Sequence, residues 1–242
     1  INLSLLSLSS LFLSAAILDE ESIHSWRNIA CYLASVERRE LDKRNYRHDL
    51  RRAQFIYGRL LLKLLLVHRM NFDFGLIDIR TSNNGRPTLF LRNSLVESVS
   101  LSIAHSGYTV FVSVGLNCVC GVDVQSIRGI DWHAVERAMG WSVSNEFQWS
   151  GIGFDVHQAH CISRQVRCGL LWSAYEAWMK LHGCQLPSTE FSWHHIGLLE
   201  TDPVTHAQIF EMDTGHRCSY SKGRILLMSY SDEVFAVATQ ES

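Results

Sequence analysis

A chain of 242 residues with 47% apolar and 19% charged side chains has the makings of one large folded domain or two small ones, and is too apolar to stay disordered. Its formal net charge of −2 gives no global attraction to nucleic acid or an anionic membrane, so any anion site must be a local cluster of basic residues. Seven scattered cysteines, an odd number, do not make a disulfide framework and fit a reducing cytoplasm.

The chain opens on "INLSLLSLSSLFLSAAILDEES". This stretch lacks a basic leading region and is interrupted by Ser at nearly every third residue, so neither a signal peptide nor a membrane span is expected. "INLSLLSL" alternates well enough for a strand, and the first residue is Ile rather than Met, which leaves open a start inside the natural protein or after an added scar. Residues 36–69 read as helical, with Leu60, Leu61, Leu64 and Leu65 at helical spacing and Arg59 and Lys63 four apart on another face. "FGLIDIR", "PTLFL", "VSLSIAH" and "YTVFVSVGL" then read as strands, with "SNNGRP" as a tight turn. After "CVCGVDVQSI" the spacing predicts helices over 131–139 and 170–182, the second with Gly183 as its C-cap. Residues 141–168 have poor periodicity and read as a long loop with short helical pieces, and late strands are expected in "TDPVTHAQIFEMD", "GRILLMSYS" and "EVFAVATQ". Each half offers a long helix followed by strands, which suits two similar α+β lobes with a boundary near residue 120.

Asp123 is a single carboxylate inside the apolar strand "CGVDVQ". It shares a strand face with Gln125, and burying it is costly unless something pairs with it. Glu176 and Lys180 in "LLWSAYEAWMKLHG" are four apart on one helix face, which by itself suits an ordinary solvated ion pair. His105 ends the strand "LSIAHSG" and Arg86 sits in the turn "NNGRP"; a structural His and an exposed turn Arg are the plain alternatives. His157, His160, Cys161 and Cys168 are possible zinc ligands, but without the paired C-x-x-C spacing of a structural site. "CVC" at 118–120 points two thiols to one strand face. There is no G-x-S-x-G elbow, no phosphate-binding P-loop and no G-x-G-x-x-G after a strand.

The order of these features says more than any one of them. A basic helix "YGRLLLKLL", then "GRP", "SIAHSG", "GVDV" and W-S-x-x-E-A-x-x-K resembles the Sfp-type 4′-phosphopantetheinyl transferases. That family carries G-[KR]-P, a [ST]-H-S strand end, G-[IV]-D-[IV]-E and W-[ST]-x-K-E-A-x-x-K, and the resemblance runs over residues 52–183. It implies an α+β fold of two similar α/β lobes related by a pseudo-two-fold axis. Residues 1–120 would form the lobe on the coenzyme A nucleotide side, and 121–242 the metal-binding and catalytic lobe. It also implies transfer of the phosphopantetheine arm of coenzyme A to a Ser of an acyl, peptidyl or aryl carrier protein, by a cytoplasmic monomer acting in polyketide, nonribosomal peptide or fatty-acid synthesis. Asp123 and Glu176 would hold Mg²⁺, with Gln125 as a neutral ligand, and Glu176 or a water it holds would be the base. Lys180 would reach the pyrophosphate, and His105 the 3′-phosphate. Arg86 would lie along the adenosine end, with Arg52, Arg59 and Lys63 adding charge from the helix. Three departures, Gln125 for the family's second acid, Tyr175 for the Lys before the catalytic Glu, and Ala104 for the hydroxyl residue before His105, motivate an inactive paralogue as the alternative. Another metal-dependent enzyme or coenzyme A user on a similar scaffold is the third reading.

Overall fold

The computed structural model describes residues 10–139, 163–183, 193–201, 208–214 and 224–241. The architecture is α+β, and the chain divides into two units, Ile1–Cys120 with Glu241–Ser242, and Gly121–Gln240.

In the first unit, strand β1 (Leu11–Ile17) leads into helices α1 (Glu20–His24), α2 (Trp26–Ile29), α3 (Ser35–Arg44) and α4 (Asp49–Met70). Strands β2 (Ile77–Thr81), β3 (Pro87–Leu91), β4 (Ser94–Leu95), β5 (Val99–Ser106) and β6 (Thr109–Leu116) follow. One antiparallel sheet has the order β1-β6-β5 and a smaller one the order β2-β3-β4. The apolar stripe of α4 packs on the larger sheet, where Ala53, Leu62 and Leu66 cluster with Val110, Val112 and Val114. Each such buried aliphatic side chain contributes about 1.5–3 kcal/mol. Gly58 sets the close approach, since a Cβ there would stand 3.0 Å from Ile103 Cγ2.

The stretch 36–69 is two helices rather than the one its periodicity predicts. Asn45 takes the left-handed conformation, φ 42°, and ends α3; Asn tolerates that cap where most residues do not. The reversal lets the carboxylates of α3 face the cations of α4. Glu37 pairs with Lys63 at 2.8 Å with both side chains buried, and Glu40 pairs with Arg59 at 3.0 Å. The strand expected over 1–8 lies outside the described residues, and β1 follows just after it.

In the second unit, strand β7 (Cys118–Ser126), which enters from the first, joins β8 (Trp193–Thr201), β9 (Gln208–Thr214), β10 (Arg224–Tyr230) and β11 (Glu233–Glu241) in the order β7-β11-β10-β9-β8. The expected strand over 201–213 resolves into the end of β8 and β9, and β8 itself was not foreseen. Helix α5 (Trp132–Met139) matches its expected range. Helix α6 (Arg164–His182) begins earlier than the expected residue 170, because the Ser163 side chain accepts from the Val166 N–H and caps it. Gly183 closes α6 in the left-handed conformation, φ 64°, as its position predicts. α6 buries residues on most of its circumference, Leu170, Leu171, Ala174, Ala177, Trp178 and Leu181 among them, which explains its weak amphipathic signal. Among the described residues no helix is long and apolar enough to cross a membrane.

Candidate active site

Asp123 stands on β7 in a run where residues 121–124 are all buried. The helix lies unusually close to this strand: a Cβ on Gly121 would come 2.1 Å from the Ala177 carbonyl oxygen and 2.6 Å from the Leu181 nitrogen. No side chain fits there, so glycine is what allows backbone to meet backbone. Asp123 lies two residues on, on the same strand face, and Glu176 and Lys180 flank the contact residue Ala177 on α6.

Lys180 Nζ donates to Asp123 Oδ1 at 2.7 Å. The other carboxylate oxygen, Oδ2, is buried and makes no well-formed hydrogen bond, although the Ser173 hydroxyl and the Val124 N–H lie close enough to the carboxylate to favour its charged form. Burial pushes the Asp123 carboxyl up from its ordinary value, opposed by Lys180. Half-buried Glu176 is pushed up by burial and then by the Asp123 charge, again opposed by Lys180. The site therefore holds two mutually repelling acids against a single ammonium. Gln125 is half-buried and donates from Nε2 to the Ser126 carbonyl at 3.2 Å.

Among the described residues no group of three or more His, Cys, Asp or Glu side chains is placed to hold a metal. The Asp123–Glu176 pair does fit a hard cation that keeps waters and substrate oxygens among its ligands. It offers carboxylate oxygens, one of them buried without a well-formed hydrogen bond, and carries a negative charge in excess. Such a donor set suits Mg²⁺ far better than zinc. Of the zinc candidates, His157, His160 and Cys161 fall outside the described residues. Cys168 is buried in α6, its thiol pushed up to about 12 by burial and the neighbouring Glu136. Glu136 in turn receives a two-pronged contact from Arg164, at 3.3 and 2.7 Å, which ties α5 to α6. Cys118 and Cys120 are free, buried thiols.

The residues expected to meet the nucleotide lie in the first unit and divide into two groups. His105, at the end of β5, is exposed, and its Nδ1 lies 2.9 Å from Arg51 Nη1. A guanidinium can only donate, so Nδ1 accepts and the ring proton is on Nε2. Gln54 Nε2 donates to the Gly107 carbonyl at 2.7 Å and holds the same turn. Arg51 was missed in the sequence, where its neighbour Arg52 was the candidate; adjacent helical residues point about 100° apart. Arg52 instead pairs with Asp49 at 2.8 Å and lies over the Trp26 ring. The second group is Arg86, whose Nη2 lies 3.4 Å from Ser100 Oγ. With Ser82, Asn84, Ser100, Asn117 and Cys118 it lines a groove of about 520 Å³, a size typical of small-molecule sites.

Arg59 and Lys63 do not present their charges outward. Arg59 is buried, bonded to Glu40 and Thr81, with its guanidinium 3.4 Å from the Phe55 ring centroid. Burial pulls its pKa down, with Glu40 and Glu37 opposing. Tyr175, at the family's Lys position, is buried beside Trp172, their ring centroids 6.2 Å apart. Ala104 is buried in β5.

Residues 20–115 match the family model described as 4′-phosphopantetheinyl transferase, N-terminal. The match covers less than half of the chain and is a likeness to that family. The stretch that matches contains Arg51, Arg52, Arg59, Arg86 and His105 but ends before Asp123, Glu176 and Lys180. No curated protein matches the chain.

Proposed function

We propose that this chain is a phosphopantetheinyl transferase that moves the 4′-phosphopantetheine arm of coenzyme A onto a serine hydroxyl of an apo carrier protein, with Mg²⁺, releasing 3′,5′-ADP. The observation that carries the reading is Asp123, buried beside Glu176 and Lys180 with an oxygen that makes no well-formed hydrogen bond, in a chain whose residues 20–115 are similar to the 4′-phosphopantetheinyl transferase N-terminal model. Attack of the serine oxygen on phosphorus forms one P–O bond and breaks the bond to the departing 3′,5′-ADP. The demand is for neutralised phosphate oxygens, a deprotonated hydroxyl and in-line geometry. When bound, Mg²⁺ supplies charge neutralisation at the pyrophosphate; Asp123 and Glu176 would hold it, with Gln125 as a neutral oxygen donor. Glu176, or a water it holds, takes the serine proton. Lys180, which donates to Asp123, would supply a point charge to the pyrophosphate.

For the nucleotide, the reading rests on Arg86 in its groove and on His105 with Arg51 for the 3′-phosphate. Arg52 and Arg59 already oppose Asp49 and Glu40, so their direct share is small. Residues 1–120 serve the nucleotide and 121–242 the metal and chemistry, as two lobes with pseudo-two-fold symmetry, in a cytoplasmic monomer. The alternative, a weakened paralogue that binds coenzyme A or a carrier without efficient transfer, draws on Gln125, Tyr175 and Ala104. Incubating the chain with coenzyme A, Mg²⁺ and an apo carrier decides between them. Transfer adds the mass of one phosphopantetheine to the carrier; unchanged carrier mass with coenzyme A binding intact would sink the enzyme reading.

A further inference from the structure

The turn that carries Arg86 is braced from behind by a knot of side chains that touch no exposed surface of the groove. Thr81 is the last residue of β2. Its hydroxyl donates to Glu40 Oε1 in a short contact and receives Arg59 Nη2 at 3.1 Å and Arg44 Nη2 at 3.4 Å. The same Glu40 oxygen also accepts from Arg59 at 3.0 Å and Arg44 at 2.8 Å. From Thr81 the link to Arg86 is short and stiff. Thr81 pairs with Pro87 in the β2–β3 register, Ser82 N donates to the Arg86 carbonyl at 2.8 Å, and Ser82 Oγ donates to the same oxygen at 2.9 Å. Gly85, at φ 84°, completes the turn with its N–H on the Ser82 carbonyl at 2.9 Å.

We propose that Thr81 is a positioning residue for coenzyme A: its hydroxyl, tied to Glu40 and Arg59, fixes where the Ser82–Arg86 turn holds the Arg86 side chain. This rests on the reading of Arg86 as a nucleotide contact. It gives Arg59 a task its sequence position did not suggest, since Arg59 acts on the turn through Thr81 and Glu40. A knot of one carboxylate, two guanidiniums and a hydroxyl is directional. Removing the hydroxyl leaves the charges paired but unhooks them from β2.

The test uses the full chain with coenzyme A, Mg²⁺ and an apo carrier. Thr81→Val, equal in shape, is expected to raise KM for coenzyme A by about tenfold, the order expected for lost hydrogen bonds to charged groups. The rate at saturating coenzyme A should stay within about twofold. Thr81→Ser, which keeps the hydroxyl, is expected to restore the wild-type KM, and Arg59→Lys, which keeps charge against Glu40 but loses the fork that also reaches Thr81, to raise it. Calorimetric binding of coenzyme A without carrier should show the same order. Equal KM values in Thr81→Val and Thr81→Ser would overturn the brace, as would a lower melting temperature in Thr81→Val with KM unchanged. If Arg86→Ala still raises KM in that case, the functional reading survives and only the brace fails. If Arg86→Ala leaves KM unchanged, both fall.

Discussion

Among the described residues a lysine meets a buried carboxylate in each unit, and the two pairs are built to different standards. In the first unit Glu37 and Lys63 are both essentially inaccessible, and every oxygen of Glu37 is used. Oε2 accepts from Lys63 at 2.8 Å and the Ala34 N–H at 2.6 Å, and Oε1 accepts from the Ile79 N–H at 2.8 Å. In the second unit Asp123 is buried but Lys180 only half-buried, and one Asp123 oxygen has Lys180 while the other makes no well-formed hydrogen bond and a second acid stands nearby. A completed buried pair locks three elements together; an incomplete one raises the energy of the resting state and leaves an unfilled demand for positive charge. The first is a structural joint, and the second is where we propose the metal sits.

The sharpest way to break that contrast is to remove each carboxylate. Asp123→Ala and Glu176→Ala are each expected to lower transfer by at least about 10²–10³-fold, as loss of a group facing the reacting phosphates does, with the circular dichroism spectrum and melting temperature retained. Near wild-type turnover in either variant would refute the metal site. Glu37→Ala should do the opposite. It strands Lys63 and two N–H donors inside α3, α4 and β2 and is expected to cost about 3–5 kcal/mol, read from the urea midpoint.

The acid dependence of stability should separate the two regions by sign. Asp123 is raised in the native state, so the native protein binds more protons than the unfolded chain once the pH passes the ordinary value of 3.8. Stability is lost as pH rises from there through the raised native value. Asp123→Asn is therefore expected to unfold at a higher urea concentration than wild type at pH 7, with the advantage shrinking as pH falls through the raised native value and gone by pH 3.8. Glu40 runs the other way. Burial alone would raise it, but the Thr81 hydroxyl, Arg59 and Arg44 outweigh burial and hold it below its ordinary 4.5. Its contribution is present above that value and lost as pH falls through the native one. Glu40→Gln should accordingly lose stability relative to wild type above pH 4.5. The smallest effect is expected from Gln125→Glu, which adds one charge beside Asp123. A severalfold lower Mg²⁺ concentration for half-maximal transfer would fit a ligand role, and an unchanged titration would remove Gln125 from the metal's surroundings.

Much of this was readable in the residues. The alternation in "VSLSIAH" and "YTVFVSVGL", the helix over 131–139 and the Gly183 cap all follow from local rules. The motif order pointed to Asp123, Glu176 and Lys180, which the fold brings to one strand and one helix. What the sequence hid is tertiary. Nothing near Asn45 announces that the helix ends and doubles back, so the basic stripe of Arg59 and Lys63 reads as outward-facing. Only the fold shows that Glu37 and Glu40 cover it. Which of Arg51 and Arg52 faces the strand end is tertiary too, since the partners Asp49, Trp26 and His105 decide it.

That doubling back also governs how a polyanion arrives. On α4, Arg52, Arg59 and Lys63 each sit against an acid, so a helix that looks strongly basic as text projects little field beyond a few ångströms. With a formal net charge of −2, long-range steering of an anionic ligand is weak. Capture becomes a matter of chance encounter followed by short-range fit. The association rate constant should then change little between low and physiological salt, even where the dissociation rate does not.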